Sequence, residues 1–182
     1  MATISVPTRD QVTPNNQAIF DQLKGALGFV PNLYATYAYS PTALEDYLGF
    51  QNRKSSLKAK EKEVINLVVS QVNECSYCLA AHTAIGKMNG FDDNQILEIR
   101  SGSAKFDDKL NALAQFVKEA TVNRGKPTSA TTDQLLKAGY NQENLIDILV
   151  VIGDKTVSNF VHGTTNVPVD FPAAPALKEV HA

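Results

Sequence analysis

Lys58-Ala59-Lys60-Glu61-Lys62-Glu63-Val64-Ile65-Asn66-Leu67-Val68-Val69-Ser70-Gln71-Val72 is the stretch whose reading decides the fold. Its centre, Val64-Ile65-Asn66-Leu67-Val68-Val69, is apolar and β-branched enough to be a buried strand. A strand running into Cys75-Ser76-Tyr77-Cys78 would point to a thioredoxin-like α/β protein. Helical spacing gives the other answer. Lys58–Glu63 is a string of good helix formers, and Val64, Val68 and Val72 recur at i, i+4 and i+8 along one face. The rest of the chain offers no convincing strands to build a sheet around the segment, so the helical reading is adopted.

Outward from this segment the helical signals continue in both directions. Cys75–Met88 reads as the next helix, ended by Asn89-Gly90. Upstream, Asn15–Leu27, Pro31–Ala38 and a helix from Pro41 to about Arg53 are expected, the last with Ser40 as cap and Pro41 at its first position. Downstream come Asp92–Arg100, Asp107–Arg124, Thr131–Ala138 and the apolar Gln142–Val161, which is expected to be central. The residues from Thr164 to Ala182 contain three prolines and read as an extended tail. The expectation is an all-α, single-domain bundle of about eight helices spanning residues 1–182.

Composition narrows the function classes. A chain of 182 residues with 43% hydrophobic content can bury a sizeable core. Seventeen basic residues against 19 acidic ones leave a net charge of −2, without the basic excess that a nucleic-acid partner requires. No apolar stretch approaches the ~18 residues of a membrane span, and Met1–Thr13 lacks the pattern of a secretion signal. A cytoplasmic address is therefore expected. In a reducing compartment, two cysteines three residues apart are more often catalytic or metal-binding than a structural staple.

Cys75, Cys78 and His82 share one stripe of a helix that begins near Cys75. The unpaired N–H groups of the first turn and a nearby imidazolium both lower a thiol pKa there. Cys78 and His82 are i, i+4 neighbours, and Cys75 and Cys78 can close a disulfide at a helix start. A thiol–disulfide redox centre is the leading reading. Two inert buried cysteines remain an alternative. Zinc is another, but only three ligands are at hand where a structural site needs four. Haem attachment fails because Leu79, not His, follows Cys78. No cofactor or metal is expected.

A helical hairpin turning near Asn73 brings residue 63 level with residue 83, so Glu63 can accept a hydrogen bond from His82 and orient it. The helical phase instead puts Glu63 with Asn66 and Ser70, opposite Val64, Val68 and Val72, and a solvated glutamate fits that side equally well.

Glu63, twelve residues before Cys75-x-x-Cys78-x-x-x-His82, resembles the signature of the alkylhydroperoxidase D-like (carboxymuconolactone decarboxylase) superfamily. The likeness covers about Leu57–Gly90, and the ending Pro168-Val169-Asp170-Phe171-Pro172 is similar, more loosely, to the peroxidase-related branch. The resemblance implies an all-α fold assembled as a trimer or hexamer and a thiol-dependent peroxidase. Cys78 would attack the peroxide, Cys75 would resolve the sulfenic acid as a Cys75–Cys78 disulfide, and Glu63 and His82 would relay protons. An external dithiol or thiol protein would then reduce the disulfide. The best-known alkylhydroperoxidase D members carry a second histidine where this chain has Tyr77, a phenol that donates a hydrogen bond but is a poor base at neutral pH. The decarboxylase branch does not depend on a Cys-x-x-C pair, so the two cysteines weigh against lactone decarboxylation.

Lys155, Asn159 and His162 form one polar stripe on the late apolar helix, lining either a pocket, a subunit contact or an ordinary exposed face. Asp147 and Asp154 are expected on helix surfaces. Tyr34, Tyr37, Tyr39 and Phe50 read as packing residues. Two rivals to the peroxidase remain: a dithiol–disulfide oxidoreductase that meets no peroxide, and an oligomeric scaffold with vestigial cysteines.

Overall fold

The structure, a computed structural model, describes residues 4–177. Among these residues there are nine α-helices, one 3-10 turn (Arg9–Gln11) and no strand. The helices are α1 Pro14–Leu27, α2 Asn32–Tyr37, α3 Ala43–Gln51, α4 Ala59–Val72 and α5 Ser76–Met88. They continue with α6 Asp93–Arg100, α7 Asp108–Val122, α8 Ser129–Lys137 and α9 Gln142–Thr165. The all-α expectation holds, and each helix anticipated along the chain is present. None of these helices is long and apolar enough to cross a membrane.

Local chemistry sets most boundaries. Asp92, Asp107 and Thr128 each cap the helix that follows by accepting from the backbone N–H three residues on. Ser40 Oγ accepts from the amides of Thr42 and Ala43, although α3 starts only at Ala43, two residues after the proline expected to open it. After α5 the chain turns at Gly90, whose φ of +86° suits a residue without a Cβ. α9 continues four residues beyond the expected Val161, to Thr165.

The chain divides into two compact units. The first comprises Met1–Lys54 and Phe160–Asp170. In it Asn16 of α1, fully buried, donates to the carbonyls of Ala38 and Ser40 and so ties α1 to the end of α2. Tyr37 and Tyr47 stack with ring centroids 4.4 Å apart. The Asp170 carboxylate accepts from the Asn32 amide at 2.7 Å, pinning the residues after α9 to the start of α2.

The second unit comprises Ser55–Asn159 and Phe171–Ala182. Its centre is α4, which packs against α5, α6 and α7, with α8 packed on α7. Val64, Ile65, Leu67, Val68 and Val69 are all 0% exposed. Removing each such side chain from water contributes about 1.5–3 kcal/mol. Leu110, Leu113, Ala114, Val117 and Ala120 of α7 supply the facing layer, as their spacing predicts.

This arrangement corrects the expectation that the late helix is central. α9 leaves Ile146 60% exposed and Leu149 and Val157 partly so, while it buries polar side chains. Asp154, expected on the surface, is among the buried ones. Asp147 lies at the boundary and accepts from the Ser56 amide and hydroxyl at 2.6 and 2.7 Å. From Asn166, itself left-handed with φ +51°, to Leu177 the tail forms no helix or strand, and its last five residues, including His181, lie outside the described residues.

Candidate active site

The corner between α4 and α5 places the two cysteines. Glu74 takes a left-handed conformation with φ +53°. Its amide donates to the Gln71 carbonyl at 3.1 Å, and the Cys75 amide reaches the Ser70 carbonyl at 2.9 Å. These two bonds are a Schellman closure of α4. Cys75 is at once the N-cap of α5, its Sγ accepting from the Cys78 amide at 3.3 Å. One residue thus closes one helix and opens the next.

Both cysteines are free thiols and both are buried. They titrate as an unequal pair. The Cys75 thiol donates to Cys78, which strongly favours the thiolate at Cys78. Burial opposes that charge, while Lys155, His82 and the Asn159 amide assist it, in that order. The result lowers Cys78 to about 5. Cys75 moves the opposite way, held protonated by the bond it donates, by burial and by the negative charge beside it.

His82 and Glu63 meet as hairpin register predicts. His82 Nδ1 lies 2.8 Å from Glu63 Oε2, and both residues are buried. An ionised carboxylate only accepts, so Nδ1 carries the proton and donates. The Asn66 amide donates to the other oxygen, Oε1, at 3.0 Å. Burial works against the charge on Glu63. The His82 imidazole, the Asn66 amide and Lys155 outweigh it, and the carboxyl is held below its ordinary value. The solvated-glutamate alternative is therefore not what the structure shows. Nε2 of His82 has no bonded protein partner among the described residues and is the nitrogen available for proton exchange.

Helix α9 closes the site within the same unit. Asn159 Oδ1 accepts from the Asn73 amide at 2.9 Å, and its Nδ2 lies 3.5 Å from Ser70 Oγ. The Cys78 thiol lies 4.0 Å from Ser158 Oγ, whose own hydroxyl donates to the Lys155 carbonyl at 3.0 Å. Lys155, Ser158 and Asn159 are all buried, so the exposed-face reading of that stripe fails. His162 Nε2 donates to the Val167 carbonyl at 3.2 Å, both residues belonging to the first unit. Tyr77 packs edge-to-face on Phe171, centroids 5.6 Å apart. Ser158 escaped the sequence reading, though a serine within a buried turn of an apolar helix is the available signal. Among the described residues no group of three or more His, Cys, Asp or Glu side chains is placed to hold a metal ion.

The ingredients are thus a thiolate, a protonated partner thiol, a carboxylate-oriented imidazole and a buried ammonium. They can support nucleophilic attack by sulfur, proton transfer to a leaving group and disulfide closure.

Residues 39–119 match the family model described as the carboxymuconolactone decarboxylase family. No protein of curated function matches significantly in sequence. An uncharacterized peroxidase-related protein from Silicibacter sp. TM1040 is 25% identical, with 94% of this chain and 91% of that one covered at a TM-score of 0.81. An uncharacterized peroxidase-related protein with an alkylhydroperoxidase AhpD core, from Ralstonia eutropha JMP134, is 20% identical, covering 91% and 90% at a TM-score of 0.81. The debrominase Bmp8, in a cysteine-to-alanine variant bound to 2,3,4-tribromopyrrole, shares the fold at 18% identity, covering 93% of each chain at a TM-score of 0.76. The segment that holds Glu63, Cys75, Cys78 and His82 is thus similar to the carboxymuconolactone decarboxylase family, and the chain shares the fold of the peroxidase-related proteins with an alkylhydroperoxidase AhpD-type core.

Proposed function

We propose that the protein is a thiol-dependent peroxidase that reduces hydrogen peroxide or small organic hydroperoxides. The observation that carries this reading is the buried 2.8 Å bond between Glu63 and His82, one helical turn from Cys78. A carboxylate that fixes one imidazole nitrogen frees the other for proton transfer, and that is what breaking an O–O bond requires.

Cys78 thiolate attacks one peroxide oxygen. A sulfur–oxygen bond forms, the O–O bond breaks, and the departing alkoxide takes a proton by way of His82 Nε2, leaving alcohol and Cys78 sulfenic acid. Cys75 then attacks the Cys78 sulfur. The disulfide forms, and the hydroxyl leaves as water with the Cys75 proton. Two electrons from an external dithiol or thiol protein restore both thiols. A reducing compartment such as the cytoplasm would supply that reductant, and assembly as a trimer or hexamer belongs to the same proposal. The likeness to the Silicibacter peroxidase-related protein supports it.

The test is peroxide consumption with dithiothreitol as reductant, followed by mass spectrometry of the thiols. The wild type should consume peroxide and form one intramolecular disulfide. Cys75→Ser should stop at sulfenic acid, and Cys78→Ser should be inert. Wild-type thiols that survive excess peroxide but reduce a disulfide substrate would replace this reading with the oxidoreductase one. Thiols untouched by either reagent would leave only a scaffold.

A further inference from the structure

We propose that Lys155 is the fixed cation of this centre: its ammonium holds Cys78 as a thiolate, so that the Glu63–His82 pair is kept for moving protons. The inference rests on the reading of Cys78 as the reactive sulfur.

Lysine is seldom buried without a partner. Lys155 is 3% exposed, yet it makes no ion pair and no side-chain hydrogen bond among the described residues, its chain neighbour Asp154 included. An ammonium in such a place needs a counter-charge nearby. The turn of α9 that carries it provides the address. Ser158, three residues on, lies against Cys78 Sγ and bonds the Lys155 carbonyl, and Asn159 grips Asn73 and Ser70 at the α4–α5 corner. Lys155 shares that face, and its charge acts on both Glu63 and Cys78.

Charge counting sharpens the role. The groups drawn together at the site are Glu63 on α4, Cys75, Cys78 and His82 at α5, and Lys155 on α9; the same elements also carry Lys60, Glu61 and Lys62, Tyr77 and Lys87, and Glu143, Asp147, Asp154 and His162. With Glu63 and Cys78 both ionised, two negative charges sit together in a buried place. Attack passes the thiolate charge to the alkoxide, and the proton taken by way of His82 neutralises it, so the charge that calls for a second cation is the resting thiolate beside Glu63. A lysine on the facing turn of α9 supplies that second cation without drawing on the Glu63–His82 pair. Lys155 is thus a positioning residue that acts through Cys78, and His82 is the proton carrier.

The two roles separate experimentally. The Cys78 titration is read as the ultraviolet absorbance of the thiolate against pH, taking the difference between each protein and its Cys78→Ala counterpart. Lys155→Met should raise the apparent pKa by a unit or more, about a tenfold loss of thiolate at pH below the titration. Lys155→Arg should restore most of it, because guanidinium keeps the charge. His82→Gln should shift the curve less than Lys155→Met while abolishing the pH-dependent part of peroxide reduction. A Lys155→Met curve that superposes on the wild type overturns the proposal. So does a Lys155→Arg shift as large as that of Lys155→Met, which would mark a packing role. Circular dichroism confirms that each variant is folded, and Lys155→Gln, which also removes the charge, carries the test should Lys155→Met fail to fold. A thiolate shift in a protein that never consumes peroxide would sink the peroxidase reading and leave the Lys155 assignment standing.

Discussion

Replacing Glu63 by glutamine removes a buried charge and almost nothing else. Glu63 Oε2 accepts from His82 Nδ1 at 2.8 Å and Oε1 from the Asn66 amide at 3.0 Å. The glutamine oxygen can still serve His82, but its NH2 then faces the NH2 of Asn66. A flip of Asn66 resolves this, because Asn66 Oδ1 is buried without a partner and turns into the needed acceptor. The net change is a charge-assisted bond, worth about 1.5–3 kcal/mol, exchanged for a neutral one worth about 0.5–1.5, a loss of roughly 1–1.5 kcal/mol at neutral pH. With a urea slope of about 1–3 kcal/mol/M, the unfolding midpoint drops by about 0.5 M. The sign with pH follows from linkage. The folded-state pKa of Glu63 lies below its ordinary 4.5, so its stabilisation is complete above that value and fades as pH falls through the folded-state value. The wild-type and Glu63→Gln midpoints must therefore converge on acidification. Peroxide reduction at neutral pH should fall by about a hundredfold, since His82 remains but is poorly held. Equal midpoints at neutral pH, or a gap that widens in acid, would refute the reasoning.

Other outcomes follow from single contacts. Cys75→Ala removes the donor that does most to favour the Cys78 thiolate, so the thiolate absorbance of Cys78 should titrate closer to the ~8.5 of a free thiol; an unmoved curve would contradict this. Leu67→Ala opens a cavity in the fully buried centre of α4 and should cost about 2–5 kcal/mol by urea denaturation. Arg100 donates to the Pro175 carbonyl at 2.6 Å and to Gln71 Oε1 at 2.9 Å. Arg100→Met should speed limited proteolysis within residues 171–177 while leaving helix content intact. Glu74→Gly relieves a left-handed φ of +53° and should raise stability by about 0.5–1 kcal/mol, measured by thermal unfolding.

How far the sequence could be read depended on whether each element has one wet side. α7 does, and its spacing named its buried residues correctly. α4 has none. Its hydropathy phase marked the valine face as core and left Glu63, Asn66 and Ser70 for solvent, yet that second face is buried too. A stretch of helix covered on every side, as α4 is from Glu63 to Ser70, carries two kinds of interior, one apolar and one polar, and periodicity registers only the first. α9 misled in the opposite way. Its richness in Ile, Leu and Val suggested a central position, but it turns Ile146 outward and puts Lys155, Ser158 and Asn159 inside. The site lies where polarity is inverted, and inversion cannot be seen without knowing which face is covered. Register was legible throughout. The distance along the chain from Glu63 to His82 sufficed to pair them, because two helices and a tight corner leave little freedom in which residues meet.

That corner also limits what variation the chain can tolerate. Because Cys75 ends the Schellman closure of α4 and caps α5 in the same step, no spare residue separates the two helices. An insertion or deletion of one residue between Asn73 and Cys75 would turn α5 by about 100° relative to α4. Cys78 and His82 would swing away from Glu63 and from α9 together, and no side-chain replacement could bring them back. Substitutions can drift at Glu74 or Ser76, but the count cannot. A spacing of this kind is a mechanical dimension of the molecule, like the throw of a crank, and the twelve positions from Glu63 to Cys75 are set by it.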